Sequence, residues 1–242
     1  MDTAARLHRA RTRALARLVE PESWLDVGTG HARFPAVAKD VLPYTSFDGL
    51  DREAHVEAAR DAGAVEEAHR GELTDLAPRL AGRYDVVSLF HQLERAADPR
   101  AELRAARTAL RPGGYLVIEA YDPAPHRARL LGRRWAARSE ARHPHLLPLA
   151  RLRRDLADLG LTVVAVERHA LHVPSELTTA AALAVGRLLS GPRRRGFRRA
   201  CRWTAARLLA AVCAVDPLLA PLLARTGISS AYRVVARRAP GD

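Results

Sequence analysis

Cysteine is scarce in this sequence, and lysine is almost absent. The two cysteines, Cys201 and Cys213, lie in one apolar stretch of helical character, at a spacing that matches neither a zinc site nor a disulfide framework. We therefore expect a reducing compartment, which predicts a cytoplasmic location. Lys39 is the single lysine, so arginine carries almost all of the positive charge.

Long apolar runs are missing as well. The nearest to one, residues 208–224, is broken by Asp216, Pro217 and Pro221. A transmembrane helix needs about 18 or more consecutive apolar residues, so we expect no membrane span. Residues 1–20 are basic throughout and have no apolar centre, so we do not expect a secretory signal either.

The composition bounds the class of protein. The formal net charge is +12, but the richness in arginine and alanine fits a GC-rich coding bias as well as it fits an acidic partner. Hydrophobic residues make up 48% of the 242 residues, which argues against a disordered chain. This length fits one α/β domain with an added subdomain better than two full domains.

Short apolar runs alternate with segments of helical spacing over most of the chain. Such alternation predicts an α/β fold: a Rossmann-like, doubly wound, mainly parallel seven-stranded sheet with helices on both faces. The predicted strands are 23–27, 45–50, 65–69, 84–89, 114–120, 161–168 and 230–237, and the predicted helices are 3–19, 33–41, 52–62, 99–110 and 148–159.

The pattern changes in the last third of the chain. We predict a core over 1–169, a helical insertion over 170–229 that precedes the last strand, and a final strand and tail over 230–242. The insertion has three open interpretations: a lid over a cleft, extra core packing, or contact with a membrane surface. The third rests on the arginine clusters at 193–195 and 198–199 beside an apolar stretch, which suit an anionic interface.

A glycine-rich turn follows the first predicted strand. Gly28 and Gly30 let the backbone turn sharply and approach a ligand closely. A dinucleotide fingerprint would need glycine or alanine at position 33, where this chain has Arg33. Asp26 opens the turn, and its carboxylate would repel a pyrophosphate. It suits a ligand that carries an ammonium and a sulfonium and no phosphate, such as S-adenosylmethionine.

A second acid supports a nucleoside ligand. Asp51 ends the second strand, 21 residues after Gly30, where a carboxylate can accept hydrogen bonds from ribose hydroxyls. Asp48 is its competitor, but it lies inside the strand and should be less available. The plainer interpretation is an ordinary strand–helix turn followed by a surface acid; the features together favour the ligand.

Three segments resemble the class I S-adenosylmethionine-dependent methyltransferases, in particular the broad group with small-molecule and lipid-like substrates. LDVGTGHARF is similar to the first motif of that family, GLDRE to its acidic second-strand end, and the block 84–119 to its fourth and fifth strands. The likeness covers about residues 20–168 and the last strand. The chain departs from the family at Ala32, where glycine is usual, and at Arg95, where histidine often follows the acid.

The resemblance implies a role for each matching position. S-adenosylmethionine would be the cofactor, bound at the carboxyl ends of the strands. The implied contacts are Asp26, Gly28 and Gly30 with the methionine end, Asp51 with the ribose and Arg52 alongside it, Glu72 and Leu73 beside the adenine, and Leu89 and Phe90 along the cleft.

Methyl transfer needs a positioned acceptor, and a general base helps when the acceptor is a hydroxyl. His91, directly after the fourth strand, and His143, after the fifth, are the predicted catalytic residues. His145, Tyr121 and Asp122 share that rim. The nearby histidines lack a carboxylate or cysteine that would complete a metal site, so no metal is expected.

The leading functional hypothesis is methyl transfer to a small-molecule or lipid-like acceptor, with peripheral membrane contact as one option. A nucleic-acid methyltransferase is the first alternative, motivated by the charge. Against it, the basic residues are scattered and form no aromatic-interleaved patch. A binding module that holds the cofactor without turnover is the second alternative.

Overall fold

A computed structural model describes residues 3–121, 145–167 and 231–241. Seven strands alternate with six helices in this part of the chain. The strands are β1 (Ser23–Val27), β2 (Ser46–Asp51), β3 (Ala68–Arg70), β4 (Tyr84–Phe90), β5 (Leu110–Tyr121), β6 (Leu161–Glu167) and β7 (Ala231–Arg238). The helices are α1 (Thr3–Ala16), α2 (Arg33–Ala38), α3 (His55–Asp61), α4 (Leu73–Leu76), α5 (Pro99–Ala109) and α6 (Leu149–Asp158).

All seven strands form one sheet, in the spatial order β3-β2-β1-β4-β5-β7-β6. β7 runs antiparallel to its neighbours β5 and β6, and the other pairs are parallel. The strand order reverses between β1 and β4, so a crevice opens outside their carboxyl ends, where ligands of such sheets bind. The predicted doubly wound, mainly parallel sheet is confirmed.

Both faces of the sheet are buried, which explains why its central strands read as nearly continuous apolar runs. On one face, Leu15 of α1 and Phe34 of α2 pack against Trp24 and Phe47. On the other face, the apolar sides of α5 and α6 pack on β4, β5 and β7. The residues that end the central strands are thereby held between two packed layers.

Local signals set most element boundaries. Asp98 caps α5, because its carboxylate accepts hydrogen bonds from the backbone N–H groups of Arg100 and Ala101 at 2.9 and 3.1 Å. The helix predicted over 99–110 is observed as α5, and the strand predicted over 114–120 is observed as β5 with an earlier start. β5 already begins at Leu110, and the Pro-Gly-Gly stretch forms a bulge against β4, with Gly113 at φ +80°.

The insertion predicted over 170–229 lies outside the described residues, as does His143. The short helix α4 was not predicted, and β3 begins three residues later than expected. Within the three described ranges, no helix combines the length and apolar character that crossing a membrane requires.

A buried charge cluster ties the amino-terminal helix to the last strand. The carboxylate of Glu119 in β5 accepts a hydrogen bond from Nε of Arg11 in α1 at 2.8 Å and another from Nε of Arg233 in β7 at 2.8 Å. Glu119 and Arg233 are almost fully buried, and Arg11 is 6% exposed. Arg233 also donates to Glu167 of β6 at 2.8 Å.

Replacing Glu119 by glutamine should lower the free energy of unfolding by about 3 kcal/mol or more, because two buried guanidinium groups lose their shared counter-charge. Urea unfolding followed by circular dichroism measures the change. Asp40→Asn is the matched control, since Asp40 pairs with Arg9 on the surface at 2.8 Å and its loss should cost less than about 1 kcal/mol. Equal losses in the two variants would contradict this account.

Candidate active site

The carboxyl ends of β1, β2, β4 and β5 meet at one edge of the sheet. The glycine turn follows β1, Asp51 ends β2, His91 follows β4 and Tyr121 ends β5. Parallel packing therefore brings together four of the positions that the sequence placed at strand ends.

The turn after β1 is built on left-handed backbone. Gly28 and Gly30 have φ values of +72° and +55°, which favour glycine at both positions. The turn is anchored to β2, because the N–H of Gly28 donates to the carbonyl of Leu50 at 2.8 Å. In the part of the chain that the structure describes, no group beyond the adjacent residues lies within 4 Å of the place where a side chain at Gly30 would begin, whereas the same place at Gly28 is covered by the amide of Gln92. The turn thus leaves open backbone beside Gly30.

Asp26 lies beneath this turn and is 4% exposed. Its Oδ1 accepts a hydrogen bond from the hydroxyl of Ser88 at 2.6 Å, and Ser88 accepts one from the indole N–H of Trp24 at 2.9 Å. Burial raises the pKa of Asp26 to about 6, against the opposing effects of Ser88 and the positive charge of Arg11. The side chain is therefore mainly a buried carboxylate at neutral pH and lacks a direct cationic partner among the described residues.

Asp51 anchors the other side of the glycine turn through hydrogen bonds. Its Oδ2 accepts from the N–H of Gly30 at 2.8 Å, and its Oδ1 accepts from the N–H of Glu53 at 3.0 Å. Each oxygen keeps acceptor capacity beyond these bonds. Asp48 differs, as expected for a residue inside the strand: it is buried, accepts from the Tyr84 hydroxyl at 2.7 Å, and has a pKa below its ordinary value because hydrogen bonds from His69 and Tyr84 outweigh its burial.

Arg52 and Glu72 form an ion pair beside Asp51, so two of the residues assigned to the ribose and adenine lie together. Glu72 occupies the amino-terminal cap position of α4. Glu102 of α5 is buried nearby, and its pKa is raised to about 7, first by burial and then by the charge of Glu72. Leu73 is packed into the core with only 1% exposure.

Leu89 and Phe90 occupy different environments at the end of β4. Leu89 is fully buried in the apolar core, whereas Phe90 is half-buried at the edge. The ring of Phe90 packs edge-on against Phe34 at 4.8 Å, and the guanidinium of Arg11 lies 4.1 Å from its centroid. The role of both residues in lining a cleft stays a prediction, with Phe90 in the better position for it.

His91 is held by its neighbours at the start of the next turn. Its Nδ1 lies 3.2 Å from Oε1 of Glu94, and its ring packs against that of Tyr121 at 4.6 Å. His145 is placed nearby, since its N–H donates to the carbonyl of Glu94 at 3.3 Å.

A carboxylate–histidine group, Asp48, Glu67 and His69, lies apart from this edge. Arg83 already supplies its positive charge, since its guanidinium is 3.1 Å from Glu67 and 3.9 Å from Asp48. Hydrogen bonds within the group explain its geometry without an ion.

Sequence reasoning missed the residues that support the predicted ones from a distance. Ser88, a polar residue inside an apolar strand, was a usable signal, because β4 places it in register with Asp26. Gln92 and Arg11 carried no comparable local signal, since their partners lie far along the chain, whereas Glu94 lies three positions after its partner His91.

Comparison with known proteins gives the family. A family model described as a methyltransferase domain matches residues 2–166. A curated relative, the ubiquinone biosynthesis O-methyltransferase of Marinobacter nauticus, is 38% identical over 48 residues, a match that spans only 20% of this chain and 20% of that protein.

Solved structures agree on the fold. The S-adenosylmethionine-dependent methyltransferase of Archaeoglobus fulgidus has a TM-score of 0.60 at 16% identity, over 97% of this chain and 94% of that one. The geranyl diphosphate C-methyltransferase of Streptomyces coelicolor, solved with S-adenosylhomocysteine, has a TM-score of 0.56 at 14% identity, over 96% and 79%. The chain belongs to the methyltransferase domain family and is a class I S-adenosylmethionine-dependent methyltransferase.

The polar groups at the carboxyl edge fit S-adenosylmethionine, the cofactor that the family implies. Asp26 is an ionised, buried carboxylate without a cationic partner among the described residues, which suits an ammonium. Asp51 keeps acceptor capacity for hydroxyl donors, and the backbone beside Gly30 is open. S-adenosylmethionine carries no phosphate, so Asp26 and Asp51 do not repel it.

The raised pKa of Asp26 predicts an effect on stability. The folded state holds this proton more tightly than the unfolded state, so ionisation opposes folding as pH rises from about 4 through 6, by about 3 kcal/mol at pH 7. Asp26→Asn keeps an oxygen for Ser88 and removes the charge. Its free energy of unfolding should exceed that of the wild type by about 2 kcal/mol at pH 7.

Urea unfolding at several pH values measures this difference. Below about pH 3 the side chain is protonated in both states, so the gain should vanish there. If the Asp26→Asn variant is no more stable than the wild type at pH 7, this interpretation of the buried acid is wrong.

Proposed function

We propose that the protein transfers a methyl group from S-adenosylmethionine to a small-molecule or lipid-like acceptor at the carboxyl edge of the sheet. The observation that carries the proposal is the pair of carboxylates, Asp26 and Asp51, on either side of an open glycine turn. When bound, the cofactor supplies a methyl group already activated on sulfur, so the protein's main tasks are to position the acceptor and to exclude water.

Each carboxylate has a separate task in this proposal. Asp26 would hold the ammonium of the methionine end, because it is a buried negative charge whose nearest described partner is the neutral Ser88 hydroxyl. Asp51 would accept from the ribose hydroxyls while its bonds to Gly30 and Glu53 keep the turn in place. Gly28 and Gly30 would let the backbone approach the ligand.

The adenine side is formed by the ion pair of Arg52 and Glu72, with Leu73 behind it in the core. Phe90 and Leu89 would form the wall toward β4. His91 is proposed as a catalytic residue, supported by its place directly after β4. His143 stays a prediction from sequence.

Two comparisons support a small or lipid-like acceptor. The curated relative is an O-methyltransferase of ubiquinone biosynthesis, and one structural neighbour methylates geranyl diphosphate. Geranyl diphosphate is a small molecule with an apolar chain. Among the described residues, the half-buried ring of Phe90 at the edge, with the buried Phe34 packed behind it, offers an apolar contact for such an acceptor.

Calorimetric titration with S-adenosylhomocysteine tests the cofactor site. The wild type should bind with micromolar affinity, and Asp51→Ala should weaken binding at least about tenfold, because both the ribose contacts and the anchor of the glycine turn are lost. Asp61→Ala is the matched control, since Asp61 is an exposed acid paired with Arg60. The absence of heat with the wild-type protein would refute the proposal.

Labelled methyl groups test the class of acceptor. After incubation of a cell extract with the enzyme and methyl-labelled S-adenosylmethionine, the label should partition into the organic-soluble fraction. Asp26→Asn, which removes the charge proposed to hold the ammonium, is the low-activity control. Label that accumulates in RNA instead would favour the nucleic-acid alternative, and label in protein would contradict both.

A further inference from the structure

The turn after β4 carries unusual backbone. His91 has a φ of +54°, a left-handed conformation that a residue with a Cβ rarely adopts and that costs of the order of 1 kcal/mol or more. Its N–H donates to the carbonyl of Glu119 at 2.8 Å, so the strained residue is pinned to β5. Such strain persists only where the surroundings enforce it, and at this position it sets the direction of the imidazole.

Glu94 supplies much of that enforcement. Its side chain is fully buried, and Oε1 accepts a hydrogen bond from the N–H of Tyr121 at 2.8 Å while lying 3.2 Å from Nδ1 of His91. Oε2 is buried and has no hydrogen-bond partner in the described part of the chain. Burying a carboxylate with one oxygen unpaired costs free energy. Among the described residues, the imidazole of His91 is the titratable side chain that lies within hydrogen-bond distance of it.

The second side of the ring is held by packing. The rings of His91 and Tyr121 lie 4.6 Å apart with an angle of 36° between their planes. The imidazole is 29% exposed, and Nε2 has no partner among the described residues. Nδ1 is therefore directed at a carboxylate that can only accept, and none of the residues in 3–121, 145–167 and 231–241 bonds to Nε2.

We propose that Glu94 is a positioning residue that keeps the proton of His91 on Nδ1, so that Nε2 presents a lone pair to the acceptor and serves as a general base. This inference rests on the proposed function, and it specifies the acceptor group as a hydroxyl. A neutral amine attacks through its own lone pair, whereas a hydroxyl gains from losing its proton during the transfer.

The acceptor hydroxyl gives its proton to Nε2 of His91, and its oxygen forms the bond to the methyl carbon. The carbon–sulfur bond breaks and leaves its electron pair on sulfur. His91 becomes an imidazolium, which the negative charge of Glu94 stabilises, and it then releases the proton to solvent.

Nitrogen-15 NMR of the histidine rings tests the positioning role without any acceptor. In the wild-type protein at pH 8, with and without S-adenosylhomocysteine, the resonances that disappear in His91→Gln should show a proton on Nδ1 and a bare Nε2. A ring protonated on Nε2 would overturn the proposal. The measurement on the free protein is independent of cofactor binding, so its failure differs from a failure of the proposed function.

Rates with substituted phenols test the class of acceptor. The probes are 4-methoxyphenol and 4-nitrophenol, with benzylamine as the amine. Glu94→Gln should lower kcat for 4-methoxyphenol at least about tenfold with little change in KM, and should affect the more acidic 4-nitrophenol much less, because that hydroxyl needs less help from a base. Affinity for S-adenosylhomocysteine should not change.

Asp155→Asn is the matched control, since Asp155 is a buried carboxylate of α6 that pairs with Arg151 and lies outside the site. It should retain the wild-type rates. Equal losses for both phenols in Glu94→Gln would indicate a structural role and refute the proposal. Methylation of benzylamine but of neither phenol would refute the hydroxyl assignment.

Discussion

Glu119, buried between Arg11 and Arg233, is the interaction on which the rest of this structure depends. Three charged groups are removed from water, and that arrangement is tolerable only because the carboxylate receives hydrogen bonds from both guanidinium groups. Arg233 completes the neutralisation through Glu167 of β6. The cluster thus joins α1 and three strands that come from distant parts of the chain, and it selects one register. A shift of β7 by one residue would turn Arg233 toward the opposite, apolar face.

Glu119 also connects this cluster to the candidate active site. Glu119 is paired with Phe90 of β4, and its carbonyl accepts the N–H of His91. Arg11 covers the ring of Phe90, and its charge also acts on Asp26. The helix that closes the sheet on this face is therefore part of the wall of the site. The packing of α1 on the sheet thus satisfies the charge of Glu119 and also positions the residues at the carboxyl edge.

The sequence predicted those features whose causes are local. β1 was predicted at its observed bounds, and Asp51 was preferred over Asp48, because strand ends and glycine turns follow from short-range chemistry. The bulge at 111–114 was missed, since proline and glycine signal a break with equal strength in a loop and in a distorted strand.

Contacts between distant residues had no sequence signal. Arg11 and Glu119 are separated by 108 positions, and Asp26 and Ser88 by 62. Only the fold brings them together, so the sequence could predict candidate cofactor contacts but not the groups that tune and orient them.

Three energetically unfavourable features converge on this one edge. Asp26 is a carboxylate whose burial opposes its ionisation, His91 has strained backbone, and one oxygen of Glu94 is buried without a described partner. Elsewhere in the described part of the chain, buried acids such as Asp48 and Glu119 are satisfied by donors. Packing alone gives no reason for such costs to cluster, because each could be relieved by a neutral or glycine residue at its position. The proposed function, which needs a buried anion beside an open turn and a histidine held in one orientation, accounts for all three.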